Sequence, residues 1–313
     1  MKTELIPSFF GIKEVQSLLA LDSGHINRTF LVSAATGKYI LQALNSKVFP
    51  HPETVMSNIS RIESVLSECT DIRVPHLLRC GKDNYLKTDD EIWRMYCYCE
   101  GQSFENDLYL TGYSFGRFIS VMSSSGINIE PVIDGFHDFN LYYSKLEKYC
   151  KTEDIPDIFI ALKEDLNNCF EGLPDRIIHG DAKTDNIIIG RPCTILDLDT
   201  VMTGPAALDY GDMIRSVCSQ EIDIGAIREL TKGFIDGTGE LLTEKEKNSL
   251  FSGILWVTGE LALRYFTDYH SEGRYFVGKT RKQCLERSRQ LLKQLDAFIT
   301  NKNEIIQIIT AGA

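Results

Sequence analysis

The sequence predicts an α+β protein of two unequal lobes. Strand-like runs separated by turn residues fill roughly the first hundred residues, and apolar positions at helical spacing dominate the remainder. The character of the chain changes near Gly101. We therefore expect a small β-rich N-terminal lobe at residues 1–98 and a larger, mostly helical C-terminal lobe at residues 99–313.

In the N-terminal lobe the elements follow one another as hairpin, helix and hairpin. The runs RTFLVSA and ATGKYILQAL are rich in β-branched and aromatic residues and meet near Gly37, which predicts a first hairpin. The stretch 51–68 then has an apolar residue every three or four positions from Val55 to Leu66, the spacing of one helix face. A second hairpin is predicted in YLKTDDEIWRMYCYCEG, with its turn at the two aspartates.

Helical periodicity dominates the C-terminal lobe, and one short region interrupts it. The interruption, residues 177–200, contains three strand-like pieces, RIIHGD, NIIIG and TILDLD. Residues 123–135 predict a loop between two helices. The helical stretches are YSFGRFISVMSSS, FNLYYSKLEKYC, IPDIFIALKEDLNNCF, NSLFSGILWVTGELALRYFTDYH and KQCLERSRQLLKQLDAFIT.

Composition and charge restrict the class of partner. The net charge of −11 argues against nucleic acid as the main partner, because phosphate backbones require clustered Lys and Arg. We find no apolar run typical of a signal peptide or a membrane span, so we expect a cytoplasmic protein with no membrane partner. The nine cysteines contain no zinc-type CxxC spacing and are interpreted as reduced thiols. We expect a monomer or weak dimer that acts on a small-molecule substrate.

Polar residues precede a short strand in HGDAKTDNIIIG (179–190). Asn186 leads directly into that strand, and Asp197 ends the next strand-like piece after a turn at GRPC. A tight hairpin would bring Asn186 and Asp197 together, and two converging oxygen ligands suit a hard cation such as Mg²⁺. Asp181, on the loop before the hairpin, is a separate carboxylate. One carboxylate to orient a hydroxyl group and a metal pair to hold phosphates is the layout of a phosphoryl-transfer site.

The order of these residues follows the kinase catalytic loop H-x-D-x-x-x-x-N and its later metal-binding aspartate. His179, Gly180 and Asp181 stand where protein kinases have H-R-D, and Asp197 stands at the D-F-G aspartate without the rest of that motif. In this form the sequence resembles the aminoglycoside phosphotransferase-like family of small-molecule kinases. The resemblance implies a bilobal protein-kinase-like fold that uses ATP.

A narrower resemblance is to the N-acetylhexosamine 1-kinases. It implies ATP- and Mg²⁺-dependent phosphorylation of an amino sugar, GlcNAc or GalNAc, at the anomeric hydroxyl to give the 1-phosphate. The segments that carry it extend over most of the chain. They are SGHINRTFLV (23–32), GKYILQALNSKVFPHPETVMSNI (37–59), DLDTVMTGPAALDYGDMIRS (197–216) and ELALRYFTDYHSEGRYF (260–276).

Within this framework the catalytic and metal residues have distinct predicted roles. Asp181 is the predicted catalytic base, which accepts a hydrogen bond from the sugar hydroxyl and aligns it for in-line attack. Asn186 and Asp197 are predicted to bind Mg²⁺. Asp199 is either a second metal contact or an acceptor behind the metal ligands. Lys183 is either a cation beside the transferring phosphoryl group or a solvated surface lysine.

The segment expected to cover the nucleotide phosphates departs from the protein-kinase pattern. LDSGHINRTF has a single glycine where a Gly-rich loop has several. By the resemblance, Ser23, His25 and Asn27 are expected to contribute donors to the phosphates. The alternative is an ordinary turn into a strand.

The strand lysine of protein kinases is also missing. Gln42 stands at the position of the V-A-I-K lysine and cannot offer a full positive charge. Either the Gln42 amide group binds phosphate, or Lys38 or another cation supplies the missing positive charge. Glu63 is a candidate for the acidic helix residue that pairs with the strand lysine in protein kinases. The adenine is expected to form hydrogen bonds with the backbone around Tyr96 to Tyr98. The side chains of Tyr96 and Tyr98 either line this site or pack in the core.

The predicted acceptor site lies in the last of the four resembling segments. Glu260 and Arg264 are four residues apart, which by itself predicts an ion-pair ladder on a helix face. The resemblance favours a different interpretation, in which Arg264 and Tyr275 hold the sugar through guanidinium donors and a hydroxyl or ring face. It also implies that Asp209 braces the catalytic loop and that Arg215 faces the pocket.

Two alternatives remain open at the level of sequence. The first is a kinase of the same fold that phosphorylates choline, homoserine, an aminoglycoside or another hexose. A cationic acceptor would require an acidic, aromatic pocket, and Arg264 argues against it. The second alternative is a nucleotide-binding pseudokinase, which Gln42 and the single glycine favour. Asp181, Asn186 and Asp197 argue for catalysis.

Overall fold

The computed structural model describes residues 2–21, 26–89, 91–101, 107–218, 221–271, 275–276 and 278–312. The strands are β1 (Val15–Leu21), β2 (Arg28–Ala34), β3 (Gly37–Ala43), β4 (Ile72–Arg73), β5 (Leu86–Lys87), β6 (Ile92–Cys97), β7 (Arg176–Ile178), β8 (Ile187–Ile188), β9 (Cys193–Ile195) and β10 (Met202–Gly204). The helices are α1 (Ile6–Phe9), α2 (Pro52–Leu66), α3 (Leu108–Ser124), α4 (Phe139–Leu146), α5 (Asp157–Asp165), α6 (Ala207–Val217), α7 (Ile224–Thr238), α8 (Glu244–His270), α9 (Arg281–Thr300) and α10 (Lys302–Gly312).

A five-stranded antiparallel sheet forms the core of the N-terminal lobe, in the order β1-β2-β3-β6-β5. The predicted hairpin of β2 and β3 pairs along its whole length and closes at Gly37. Because alternate residues of a strand point to opposite faces, Val32, Leu41 and Met95 lie together in one buried cluster with residues of α1. The sheet is therefore covered on this face by the N-terminal segment.

Helix α2 lies between β3 and β4 in the chain and contacts the C-terminal lobe. It begins at Pro52, in the first turn, where proline loses no helical hydrogen bond. The predicted apolar face is buried from Val55 to Leu66, and it packs against α3 and against the 3₁₀ turn Leu198–Thr200. This contact places the N-terminal lobe directly beside the region that carries the candidate catalytic residues.

The C-terminal lobe is a helical assembly in which α3 and α7 approach unusually closely. A Cβ atom on Gly112 would lie 2.2 Å from the Leu230 carbonyl oxygen, and one on Gly233 would lie 2.1 Å from the Tyr109 carbonyl oxygen. Gly116 and Gly237 repeat these approaches one turn further along. The two backbones are thus in direct contact, which any side chain larger than hydrogen would prevent. We call this contact the glycine seam.

Two small sheets lie between the lobes and position the region 177–200. β7 pairs with β10, and β8 pairs with β9 as an antiparallel hairpin. β4 adds to β9 in parallel, so the chain before residue 98 contributes a strand to the same small sheet as this hairpin. The division of the chain at residues 98 and 99 remains our proposal.

The predicted fold class is confirmed. The chain has a small antiparallel-sheet lobe followed by a helical lobe, the arrangement of the protein-kinase-like phosphotransferase fold. All nine cysteines are free thiols. Among the helices in the described ranges, none is both long and apolar enough to cross a bilayer.

Candidate functional site

The loop after β7 has one backbone geometry that a side chain would disrupt. Gly180 has a positive φ of 77°, and a Cβ atom there would lie 2.3 Å from the Thr200 carbonyl oxygen. The neighbouring His179 is fully buried. Its Nε2 lies 2.8 Å from the Leu196 carbonyl oxygen, and its Nδ1 accepts from the Asp181 amide at 3.3 Å. One nitrogen donates and the other accepts, so His179 is a neutral brace for the loop.

Asp209, in the first turn of α6, holds the same loop from the other side. Its two carboxylate oxygens accept from the amides of His179 at 2.6 Å and Gly180 at 2.8 Å. Burial raises the pKa of Asp209 to about 6, although these two amide hydrogen bonds favour the ionised form. This is the bracing position that the resemblance implies for Asp209.

Asp181 projects from the braced loop into a cluster of polar groups. Its Oδ2 accepts from Lys183 Nζ at 2.6 Å and from Asn186 Nδ2 at 3.0 Å. Burial by itself lowers the pKa of Lys183, but the Asp181 carboxylate outweighs it, so the pKa is raised and the ammonium charge is retained. Lys183 is therefore paired with Asp181 rather than fully solvated, and its role beside a transferring phosphoryl group remains our proposal.

The hairpin of β8 and β9 brings Asn186 and Asp197 together. The Leu196 amide donates to the Asn186 carbonyl oxygen at 2.8 Å, and Asp197 follows immediately in a left-handed conformation with φ 57°. Within the described ranges the Asp197 carboxylate has no hydrogen-bond or ion-pair partner. The residue is exposed, but the protein atoms around the carboxylate, and then the charges of Asp199 and Asp181, raise its pKa to about 6.

The donor set at this hairpin fits a magnesium ion. Asp197 is an exposed carboxylate that lines the cavity and has no hydrogen-bond or ion-pair partner in the described ranges, and Asn186 donates both amide contacts to Asp181, which leaves its amide oxygen as a ligand atom. In the described part of the chain no three His, Cys, Asp or Glu side chains cluster as a metal site. A site with few protein ligands suits Mg²⁺, which keeps waters and binds substrate phosphates.

Asp199 belongs to a buried ion pair. Arg94, on β6, donates from both terminal nitrogens to the two oxygens of Asp199, at 2.9 Å for the Nη2 contact. Asn27 Nδ2 also donates to Asp199, at 2.7 Å. Because both oxygens are occupied, Asp199 serves here as an acceptor behind the metal ligands, and we leave it out of the metal site that we propose.

Arg94 is the cation beside Gln42. The two residues face each other across β3 and β6, and Arg94 Nε donates to Gln42 Oε1 at 3.0 Å. The Gln42 amide nitrogen donates to Thr29 Oγ1 at 3.1 Å. Lys38 instead lies over the Tyr98 ring, 5.7 Å from its centroid. Arg94 was not among the predicted site residues.

The suggested acidic partner on α2 is wrong. Glu63 lies 2.7 Å from His76 Nδ1 and accepts from the Leu77 amide at 3.2 Å, so its carboxylate braces the chain before β5. The acidic partner of Arg94 comes from the other lobe, as Asp199. A signal for Arg94 did exist, since an arginine in the middle of an apolar β-strand must find a buried countercharge.

A cavity of about 560 Å³ lies between the sheet and the catalytic loop. Its lining includes Asn27, Gln42, Tyr96, Tyr98, Asp181 and Asp197. Ser23 and His25 lie outside the described residues. This cavity is therefore the candidate nucleotide site, and it joins predicted nucleotide residues with predicted catalytic ones.

The backbone hydrogen bonds at the junction between the lobes limit which amides are free to bind a nucleobase. The Cys97 amide donates to the His76 carbonyl and the Tyr98 amide donates to the Lys38 carbonyl, at 3.0 and 3.1 Å. The Cys99 amide makes no hydrogen bond within the described ranges, and Cys99 lines the cavity. The first open donor for adenine is thus one residue beyond the predicted stretch.

The predicted acceptor residues Arg264 and Tyr275 lie together, with the guanidinium carbon 4.4 Å from the ring centroid. Three further rings approach Arg264 within 5.7 Å, those of Phe136, Tyr142 and Phe276. Its Nε is buried and has no hydrogen-bond partner among the residues that the structure describes. The ladder with Glu260 is also present, at 3.3 Å.

Arg215 forms a buried ion pair with Asp212 one turn earlier on α6, at 2.6 and 2.9 Å. Glu260 has a second partner, His137, whose Nδ1 lies 2.9 Å from it. We use the term acceptor region for Arg264, Tyr275, Glu260, Asp212 and Arg215. His137 was not predicted from the sequence.

We expect Asp197→Ala to abolish Mg²⁺-dependent nucleotide binding, because the variant lacks the one carboxylate available to the cation. Calorimetric titration of ATP with and without Mg²⁺ measures the effect. Asp175→Ala, at an exposed position before β7, is the control. Wild-type affinity for Mg·ATP in Asp197→Ala would remove Asp197 from the metal site.

Comparisons with known proteins agree with this geometry. Residues 17–241 match the profile described as the phosphotransferase enzyme family. A microcompartment-associated aminopropanol kinase has a similar structure, with a TM-score of 0.70 at 14% identity over 96% of each chain. The GDP complex of an aminoglycoside 2′-phosphotransferase IIIa gives 0.63 at 16% identity, over 96% of this chain and 97% of that one. A choline kinase from Cryptosporidium parvum gives 0.60 at 11% identity, over 97% and 94%. At these identities the structural matches show the fold.

Proposed function

The chain belongs to the phosphotransferase enzyme family, and on that premise we propose that it transfers the γ-phosphoryl group of ATP to the anomeric hydroxyl of an N-acetylhexosamine. The coarser statement, a small-molecule phosphotransferase, follows from the family and from the fold. The sugar and its reacting hydroxyl are our proposal. We place the reaction in the cytoplasm.

Asp181 begins the proposed reaction by accepting a hydrogen bond from the acceptor hydroxyl. As that oxygen bonds to the γ-phosphorus, its proton passes to Asp181, the bond from the γ-phosphorus to the β–γ bridging oxygen breaks, and ADP leaves. Lys183, 2.6 Å from Asp181, supplies positive charge beside the transferring group. Asn186 and Asp197 would hold Mg²⁺, which neutralises phosphate charge when bound.

The observation that carries the proposed acceptor is the charge pairing of the acceptor region. Glu260 is paired with Arg264, and Asp212 is paired with Arg215. Among the described residues of this region, a cationic acceptor would therefore find no unpaired carboxylate. The four rings that could form an ammonium cage already surround the Arg264 guanidinium. A neutral, hydroxyl-rich acceptor is favoured, since guanidinium and tyrosine groups donate to its oxygens.

The second candidate is a kinase for an amine-bearing alcohol. Its support is that the names of the compared structures include aminopropanol, aminoglycoside and choline. Against it stand the paired carboxylates of the acceptor region. A pseudokinase is the third candidate, and the Arg94–Asp199 pair weakens it because Arg94 supplies the positive charge that Gln42 lacks.

A coupled ADP-release assay with Mg·ATP across a panel of acceptors tests the function. The panel is GlcNAc, GalNAc, glucose, galactose, choline, aminopropanol, homoserine and kanamycin. We expect turnover on the two N-acetyl sugars, with the product phosphate on the anomeric carbon by ³¹P NMR. Turnover confined to choline, aminopropanol or kanamycin would keep the phosphotransferase and reject the sugar. ATP binding without turnover on any acceptor would favour the pseudokinase.

We expect Arg264→Leu to lower kcat/KM for the acceptor by roughly 10- to 100-fold, the loss expected for charged hydrogen bonds to a neutral ligand. The affinity for ATP should stay at its wild-type value, because Arg264 does not line the nucleotide cavity. Steady-state kinetics at varied sugar concentration measures the change. Arg289→Leu, at an exposed arginine on α9, is the matched control. An unchanged acceptor KM in a folded Arg264→Leu protein would exclude Arg264 from the sugar site.

A further inference from the structure

His137 lies in the loop before α4 and is buried between two parts of the C-terminal lobe. It has a positive φ of 60°, and only 8% of its side chain is exposed. Trp256 Nε1 donates to its carbonyl oxygen at 3.0 Å, which holds the backbone in place. A positive φ is uncommon for residues other than glycine, although histidine adopts it more often than most. The chain therefore keeps an unfavourable backbone geometry that delivers this ring to one position.

Both ring nitrogens of His137 face hydrogen-bond acceptors. Nδ1 lies 2.9 Å from Glu260 Oε2, and Nε2 lies 2.8 Å from the carbonyl oxygen of Gly180. A carbonyl oxygen can only accept, and an ionised carboxylate can only accept. A neutral imidazole has one N–H group and would leave one contact without a proton. When Glu260 is ionised, both contacts can be made only by the doubly protonated imidazolium.

The two contacts join the acceptor region to the catalytic loop. Arg264 donates to one oxygen of Glu260 at 3.3 Å, and His137 takes the other. The Gly180 carbonyl that His137 holds belongs to the residue immediately before Asp181. The amide of the same glycine is held by Asp209. The residue before the catalytic base is thus tied at its amide by a carboxylate and at its carbonyl by a cation.

We propose that His137 is a positioning residue whose imidazolium links Glu260 and Arg264 to the Gly180 carbonyl, so that contacts made by the acceptor at Arg264 align Asp181. The link to the acceptor rests on the proposed function. The positioning of the loop by His137 does not, because the contacts with Glu260 and Gly180 exist in the protein without a substrate.

The charged groups around His137 favour the imidazolium. Glu260 and Arg264 face it from α8, Asp212 faces it from α6, and the Gly180 carbonyl faces it from the catalytic loop. Burial by itself lowers the pKa of His137, but Glu260, and to a lesser degree Asp212 and Gly180, raise it to about 9. The proton should therefore be retained at neutral pH and lost near pH 9.

The first experiment compares His137→Gln with His76→Gln. His76 makes the same kind of contact, with Glu63 at 2.7 Å, but its side chain is 70% exposed and far along the chain from the catalytic loop. We expect kcat at pH 7.5 to fall roughly 10- to 100-fold in His137→Gln, the scale of a misaligned catalytic group, with the Kd of ATP unchanged. His76→Gln should match the wild type in both quantities.

The pH profile separates positioning from a purely structural role. Wild-type kcat should fall above about pH 9, and this fall should be absent in His137→Gln, whose side chain does not titrate. His76→Gln should keep the wild-type profile. Wild-type kcat in His137→Gln, or the same alkaline fall in His137→Gln as in the wild type, would overturn the proposal.

A second measurement, NMR of the histidine side chains, depends neither on enzymatic turnover nor on the folding of His137→Gln. In the wild-type protein with ¹⁵N-labelled histidine, we expect one side chain to show two protonated ring nitrogens at pH 8. All histidines being neutral at that pH would overturn the proposal, even if His137→Gln failed to fold. If no acceptor in the panel reacts, the pH profile is measured on intrinsic ATP hydrolysis instead of sugar phosphorylation. Suppose that no acceptor is phosphorylated, but NMR detects the imidazolium and ATP hydrolysis falls at alkaline pH. The sugar would then be rejected as the acceptor, and the positioning role of His137 would be retained.

Discussion

We expect Asp181→Asn to lower kcat by roughly a hundredfold or more, the usual scale for loss of a general base, while ATP and acceptor binding stay close to wild type. An asparagine can still occupy the space of Asp181, but it cannot take the hydroxyl proton. Asn186 Nδ2, which donates to Asp181 at 3.0 Å, can still donate to the side-chain oxygen of the new asparagine, so the loop should remain in place and the Asn186 oxygen should stay available to the cation. Single-turnover kinetics and ATP titration on the same preparation measure the two effects.

The control for this variant is Asp165→Asn, which makes the same change at an exposed position at the end of α5. It should leave both kcat and ATP affinity at wild-type values. If Asp181→Asn turned over at the wild-type rate, another group would have to be the base. If it lost ATP affinity as well as kcat, Asp181 would act mainly in nucleotide binding.

The second large effect is expected for Arg94→Met, in both stability and nucleotide affinity. Removing one partner of a buried ion pair leaves an uncompensated charge and typically costs about 3–5 kcal/mol, and Asp199 would lose both of its contacts with Arg94. Affinity for ATP should also fall, because Arg94 is the cation beside the predicted lysine position at Gln42. Urea unfolding and ATP titration measure the two losses.

Two further variants separate those losses. Arg28→Met removes an arginine from strand β2 of the same sheet, where 56% of the side chain is exposed and the partner is Glu91. It should cost no more than about 1 kcal/mol, as surface ion pairs do. The double variant Arg94→Met with Asp199→Asn also removes the unpaired charge of the Asp199 carboxylate. Its free energy of unfolding should therefore recover, while its affinity for ATP stays low. ATP affinity that recovered along with stability would show that Arg94 is purely structural.

The parts of the site that the sequence predicted are those carried by a continuous segment. Residues 179–197 contain the catalytic loop and its hairpin, so spacing alone placed Asn186 beside Asp197. The periodic apolar residues of α2 likewise predicted a helix and its buried face. In these cases local structure decides the geometry, and local structure follows from pattern.

Arg94 and His137 were missed because their roles depend on pairs distant in sequence. Arg94 lies 105 residues from Asp199, and His137 lies 123 residues from Glu260. No periodicity or short motif connects such pairs. For the same reason Glu63 was assigned to the nucleotide site from its place on a helix, whereas the fold directs it to His76. The lone arginine in a buried strand was the one usable signal.

The glycine seam has a consequence for how the catalytic loop can move. Phe115 and Phe118 of α3 pack edge-on against the His179 ring, with centroids 5.6 and 6.0 Å away, and α3 itself is held against α7 by backbone contact. Two backbones already at their closest approach have no compressible side chains between them, so this side of the loop acts as a fixed pivot. We therefore expect Asp181 to adjust more readily on the side of the loop that faces His137 than on the side that faces His179.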